Sequence, residues 1–373
     1  MKYDKSVKSL LAVIAVAASL LLTACSASNE TPNGTPPVSD TGTPKVSGTL
    51  NLGGSSAQTA AQTTWRAGFQ DANAAANVNY DPVGSGAGRT GFADGAYAMA
   101  GTDDAFKISD IASSDFKLCV AGTGIVELPV YISPIAVAYN LPGVTNLNLD
   151  AATTAGIFAG AITKWNDPAI VALNAGTTLP ELTITAVHRS DKSGTTGNFT
   201  DYLSDAAASV WTFGRSETWP ESLGGEAAEK TQGMRQAIEA ANGAIGYLDA
   251  SQASGLGMAR LMVRGNAVAP VAEAAAKALA GSQLEPGRDD ADLVFDINRV
   301  PTDASAYPLI MVSYLVACQQ YQDGTTAELV KAYVSHVVSR EGQAAAAGDA
   351  GSVSLWEDAA LQRRVGEAAA SIR

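Results

Sequence analysis

The segment His188-Arg189-Ser190-Asp191-Lys192-Ser193-Gly194-Thr195-Thr196-Gly197-Asn198-Phe199 joins two different periodicities. Before it, Leu182, Ile184 and Ala186 alternate with Thr183, Thr185 and Val187, the period of a strand with one buried face. After it, Phe199, Tyr202, Leu203 and Ala206 recur at helical spacing. Ser193 is well placed as the helix N-cap, because its side-chain oxygen can accept from N–H groups of the first turn. A strand entering a helix through a short loop of hydroxyls and glycine leaves N–H groups aimed at one spot, and the helix dipole makes that spot favourable to an anion. Arg189 adds a permanent planar charge suited to an oxyanion. The segment alone allows two readings: an anion site with a phosphate-like ligand, or an ordinary capped helix beside an exposed Arg.

The same strand, Gly/Ser turn, helix pattern occurs twice more. Gly48 to Leu52 reads as a strand, followed by Gly53-Gly54-Ser55-Ser56-Ala57 and a helix carrying Trp65 and Phe69. Val78 to Val83 reads as a strand ending in Gly84-Ser85-Gly86-Ala87-Gly88. Three such turns, each with a hydroxyl and unpaired N–H groups, suggest convergence on one ligand; three routine connections are the alternative. Tyr97 to Gly101 leads into Thr102-Asp103-Asp104, a carboxylate pair for which a solvated turn is the ordinary role. Leu128 to Asn140 is an apolar strand run interrupted by Pro134, and Trp165 reads as core. Further on, Gln232–Ala241, Val268–Leu279, Thr326–Ser339 and Trp356–Ala370 read as helices, and Ala244–Tyr247 and Tyr307–Ala317 as strands. This alternation implies an α/β architecture.

Residues 1–24 are not fold. Lys2, Lys5 and Lys8 precede an apolar run from Leu10 to Leu22, the pattern of a secretory signal. It ends in Leu22-Thr23-Ala24-Cys25, which resembles a bacterial lipobox and implies a lipid-modified Cys25. Residues 25–47 are dense in Thr, Pro, Ser, Gly and Asn and read as a flexible tether. About 325 residues remain, more than one domain's worth. The formal charge is −13; residues 1–24 contribute +2, leaving −15 from residue 25 onward. With no Lys/Arg run to neutralise successive phosphates, nucleic acid is excluded as a partner. Besides Cys25 there are two cysteines, Cys119 and Cys318. An exported chain permits a disulfide, and the two are expected to pair, with unpaired thiols as the alternative.

Catalytic motifs find little support. Gly86-Ala87-Gly88-Arg89-Thr90-Gly91 matches G-x-G-x-x-G, but no acidic residue closes a second strand at the required distance. Ser193 and His188 lack a G-x-S-x-G elbow, and His336 is the remaining imidazole. No metal signature is present, and no cofactor is called for.

Arg189-Ser190-Asp191-Lys192-Ser193-Gly194-Thr195-Thr196, with Phe199-Thr200-Asp201-Tyr202-Leu203 after it, resembles the R-x-D-x-S-G-T-[ST]…F-T-x-Y-L signature of the PstS-type phosphate-binding proteins of ABC transporters. Gly84–Gly88, Gly101-Thr102-Asp103, Ile162–Pro168, Trp219-Pro220, Gly243–Tyr247 and Tyr307-Pro308 fit the same family in the same order, over essentially Gly48 to the C-terminus. The resemblance implies a two-lobed periplasmic-binding-protein fold with two interlobe crossings, near Tyr131 and Pro301. Lobe I is then 48–131 plus 301–373, and lobe II is 132–300. It also implies a phosphate-binding set of Ser56, Ala57 (through its N–H), Ser85, Asp103, Arg189, Ser193, Gly194 and Thr195, with Asp191 orienting Arg189. The first turn, Gly54-Ser55-Ser56-Ala57, departs from the family's G-A-[TS]-F, so Ser56 is uncertain by one residue, and Asp104 is the alternative to Asp103. The implied partners are inorganic phosphate, an ABC permease and, through the lipid anchor, the outer face of the cell membrane.

Overall fold

The computed structural model describes residues 45–373; the signal segment, Cys25 and nearly all of the tether lie outside the described residues. The first elements are β1 (Gly48–Gly54), α1 (Thr59–Ala72), β2 (Ala76–Asp81), α2 (Ser85–Ala93), β3 (Met99–Thr102) and α3 (Ile108–Ser113), followed by the long β4 (Ile125–Tyr139). Then come β5 (Asn148–Leu149), α4 (Ala151–Phe158), α5 (Pro168–Leu173), β6 (Thr185–Arg189), α6 (Gly194–Ala206), β7 (Glu226–Ala228), α7 (Lys230–Ala240) and β8 (Ala244–Asp249). The short strands β9 (Gly257–Met258), β10 (Arg260–Val263) and β11 (Asn266–Val268), then α8 (Ala272–Ala280), β12 (Gln283–Leu284) and β13 (Phe295–Asp296), lead to β14 (Ile310–Cys318). Helices α9 (Gly324–Val338), α10 (Arg340–Ala350) and α11 (Ala359–Ser371) follow.

The main sheet runs β2-β1-β3-β14-β4-β8-β6-β7. On one side β1 pairs parallel with β2 and β3; on the other β6 pairs parallel with β7 and β8. The antiparallel pair β4·β14 joins these halves. β4 pairs with β14 up to Pro134 and with β8 from Ile135 onward, and it is buried throughout. Pro134 therefore does not interrupt the strand. It sits where β4 exchanges one neighbour for the other, so a missing N–H is tolerated there. A bulge opposite Ser313 and Tyr314 similarly accommodates Pro129.

Two further expectations change. The deeply buried residues of β6 are Val187 and Arg189, while Ala186 is only partly covered. β6 is an inner strand between β8 and β7 whose covered face carries Val187 and Arg189, while Leu182 and Ile184 precede it, so the alternation holds with the opposite parity. Val268 belongs to β11 and α8 starts at Ala272, and Trp356 precedes α11, half-exposed with Arg340 over its ring. Trp165 is core, its indole N–H donating to the Gly243 carbonyl at 3.0 Å. Cys119 and Cys318 are joined by a disulfide that spans 199 residues of sequence. The segment 285–296 is tied to the first half of β4. Arg288 pairs with Glu127 at 3.1 Å, and Leu293 donates to the Glu127 carbonyl.

Candidate functional site

All three Gly/Ser turns end at helix starts. Ser85 is the first residue of α2, and Gly84 before it has φ +99°, a backbone region that favours glycine. Ser193 caps α6, accepting from Thr196 N–H at 3.2 Å. The first turn holds itself: Ser55 Oγ accepts from Ala57 N–H at 3.1 Å, a local Ser turn. The Ala57 N–H expected to face a ligand is therefore engaged. Among the described residues, no protein acceptor faces the N–H groups of Ser56, Ser85, Gly194 and Thr195.

Contacts run from one turn to the next in a ring. Ser56 Oγ accepts from Thr231 N–H at 3.0 Å and is hydrogen-bonded to Thr231 Oγ1. The neighbouring Lys230 N–H donates to Asp191 Oδ1, and Asp191 takes both Nε and Nη2 of Arg189. A Cβ added at Gly84 would stand 2.7 Å from Asp191 and 3.7 Å from Arg189 Nη2, so the second turn lies directly against that pair. Ser85 Oγ is 3.4 Å from Asp103 Oδ2, and Thr195 Oγ1 donates to the same oxygen at 3.0 Å. Ser56, Ala57, Ser85, Asp103, Arg189, Ser193 and Thr195 are all buried. Asp103 is thus no solvated turn. Asp104, by contrast, turns away: one oxygen pairs with Arg215 and the other, buried, has no partner. Burial pushes its carboxyl up, and the neighbouring Arg215 only partly offsets this.

Arg189 is presented, not merely placed. Burial would raise the Asp191 carboxyl, but the hydrogen bonds and charge of Arg189 and the Lys230 N–H outweigh it and hold it below its ordinary range. With Nε and Nη2 bound to Asp191, Nη1 has no protein acceptor among the described residues. Tyr247 fixes the start of the loop. Its hydroxyl accepts from Arg189 N–H at 3.2 Å and meets Thr196 Oγ1 at 2.8 Å, while its ring stacks on Phe199. Such a set of N–H groups, hydroxyls and one guanidinium can hold a small oxyanion without a full countercharge on every oxygen.

Several contributors escape a reading of the sequence. Thr231 and Gln252 reach Ser56 and Ala57 from far along the chain, the Gln252 amide donating to both carbonyls at 3.1 Å. Ser313, from β14, donates to Asp103 Oδ1 at 2.6 Å. Arg89, in the G-x-G-x-x-G match, forms a two-pronged ion pair with Glu217. None carries a local signal, because each acts on a residue far away in sequence. His188 stacks on Trp219 and faces the Arg189 carbonyl, so it is not paired with Ser193.

The family model of the PBP superfamily domain matches residues 39–341. The phosphate-binding protein PstS 2 of Mycobacterium tuberculosis is 35% identical over 336 residues, covering 86% of this chain and 88% of the relative. The phosphate-binding protein PstS 3 of Mycobacterium leprae is 33% identical over 296 residues, covering 78% and 79%. Among solved structures, a high affinity periplasmic phosphate-binding protein bound with phosphate aligns with TM-score 0.68 at 21% identity, covering 85% of this chain and 93% of that one. A phosphate-binding protein from Stenotrophomonas maltophilia aligns with TM-score 0.63 at 18% identity, covering 86% and 94%. At those identities the structural likeness speaks for the fold.

Proposed function

The chain belongs to the PstS-type phosphate-binding proteins of the periplasmic-binding-protein superfamily, and from that premise we propose how it works. It is an extracytoplasmic binding protein, not an enzyme: it captures inorganic phosphate in a cleft between two lobes and delivers it to an ABC permease. We assign lobe I to 48–131 plus 301–373 and lobe II to 132–300, with 285–296 strapped onto lobe I through Arg288 and Glu127. The binding set is Ser56, Ser85, Asp103, Arg189, Ser193, Gly194 and Thr195, with Asp191 orienting Arg189; Ala57 supports the first turn. Arg189 Nη1 and the N–H groups of Ser56, Ser85, Gly194 and Thr195 donate to the anion. Binding closes the lobes by hinge motion. Among the described residues no helix is long and apolar enough to cross a membrane. We assign attachment to a lipid on Cys25, which mass spectrometry of the membrane-extracted protein checks: an N-terminal diacylated Cys25 supports it, and cleavage elsewhere overturns it.

The observation that carries the ligand assignment is Asp103, a buried carboxylate amid donors. A carboxylate facing an anion is unfavourable unless the anion brings a proton to donate. Phosphate near neutral pH has one and sulfate does not, so the unprotonated analogue leaves a buried acceptor unpaired. Titration calorimetry with phosphate, sulfate and a phosphomonoester tests this. Phosphate binding without sulfate binding is expected. Equal binding of sulfate overturns the ligand assignment, and turnover of the ester overturns the non-enzymatic reading.

A further inference from the structure

Asp103 is not the end of its hydrogen-bond network. Behind it a row of polar side chains crosses the core between β14, α1 and α9. Tyr333 O–H donates to Gln62 Oε1 at 2.8 Å, and Gln62 Nε2 donates to Gln58 Oε1 at 2.9 Å. Gln58 Nε2 donates to Ser313 Oγ at 2.7 Å and to the Tyr314 carbonyl at 3.0 Å. Ser313 Oγ reaches Asp103 Oδ1 at 2.6 Å. Ser313, Gln58, Gln62 and Tyr333 are at most 1% exposed. Polar groups so buried are unfavourable unless each is paired, and here each is.

The direction of the row is determined by chemistry. The Tyr314 carbonyl only accepts, so the Gln58 amide must present its N–H₂ end to it and therefore to Ser313. Ser313 Oγ then accepts from Gln58, and its single proton is left to donate. The Thr102 carbonyl is 3.3 Å away, while the Asp103 carboxylate at 2.6 Å offers the stronger, charge-assisted bond. Oδ1 is thus committed to a group that does not face the ligand. Oδ2 takes only the hydroxyls of Thr195 and Ser85, both in the proposed binding set and both able to rotate toward an anion.

We propose that Ser313, held by Gln58, is a positioning residue for anion selectivity: it occupies Asp103 Oδ1 so that Oδ2 alone is presented to the proton of the bound anion. This rests on the reading of the cleft as a phosphate site. Without Ser313 the carboxylate can turn away from the ligand, which weakens the one hydrogen bond that only a protonated anion makes.

The test is calorimetry with inorganic phosphate, with sulfate measured by competition, on the wild type and Ser313→Ala, each with and without Asp103→Asn. Ser313→Ala is expected to weaken phosphate by about tenfold and to change sulfate by less than about threefold, lowering the selectivity ratio. In the Asp103→Asn background it is expected to leave the ratio unchanged. An unchanged ratio in folded Ser313→Ala, or an equal loss in the Asp103→Asn background, overturns the proposal. Should Ser313→Ala fail to fold, Gln58→Met removes the donor that directs Ser313 and is judged by the same ratio. Absence of phosphate binding by the wild type is a separate outcome, which overturns the phosphate assignment itself.

Discussion

Arg89 and Glu217 face each other across the cleft as a two-pronged ion pair, with Nη2 at 2.6 and 2.7 Å from the two carboxylate oxygens. Their side chains are only 8% and 13% exposed, so solvent screens them weakly. On the proposed lobe assignment the pair links lobe I to lobe II and would help to hold the cleft shut. Glu217→Gln keeps the shape and removes the charge. It is expected to weaken phosphate binding by about three- to tenfold, chiefly through faster release. Stopped-flow measurement of release checks this; an unchanged release rate removes the pair from the closing mechanism.

Arg189 Nη1 has no protein acceptor among the described residues, while Asp191 holds Nε and Nη2. Arg189→Ala is expected to weaken phosphate by at least about tenfold, the scale of a charge-assisted hydrogen bond. Unchanged affinity by calorimetry moves the site elsewhere.

Asp103 and Asp104 are adjacent in sequence but have separate partners. Asp103→Asn is expected to relax the rejection of sulfate, since an amide can donate where the carboxylate cannot. Asp104→Asn, beside Arg215, is expected to leave selectivity in place. The reverse result in competition binding would shift the site by one residue.

Gly194 packs against the end of β3. A Cβ there would lie 2.7 Å from the Asp104 nitrogen and 2.9 Å from Asp103 Cβ. Backbone cannot yield as a flexible side chain can, so Gly194→Ala is expected to prop the cleft open and weaken phosphate by about tenfold or more. The helix itself should persist, because alanine favours helix. Circular dichroism alongside calorimetry separates the two effects.

Asp249, buried at the end of β8, accepts from Tyr131 and Ser251. Burial pushes its carboxyl up to about 7, against the hydrogen bonds that lower it. In the unfolded chain an Asp titrates near about 3.9. Between those values the folded protein holds a proton that the unfolded chain has released. This group's contribution to stability therefore falls as pH rises from about 4 to about 7, by at most about 1.4 kcal/mol per pH unit, and is flat above. Asp249→Asn removes that component, its amide donating to Tyr131 while Tyr131 donates to the Ala350 carbonyl. Urea denaturation of both proteins across this range checks it: the difference in stability should change with the stated sign.

The order and type of the main elements were legible, because strand and helix periods and the Gly/Ser turns are local properties of the chain. The export pattern at residues 1–24 and the Arg189-Ser190-Asp191-Lys192-Ser193-Gly194-Thr195 loop are local as well, as is the Ser193 cap. What local pattern could not carry is partnership. The buried parity of β6 depends on which of its faces the fold covers, and the continuity of β4 through Pro134 depends on an exchange of neighbours. The separation of Asp103 from Asp104 and the parts played by Thr231, Gln252, Glu217 and Ser313 were decided by tertiary structure alone. The physical reason is that a hydrogen bond or ion pair between residues more than a hundred positions apart leaves no periodic trace in either stretch. By itself the sequence determined an exported α/β chain with three anion-friendly turns. Only the folded chain decided which atoms of those turns are already occupied and which still face the cleft.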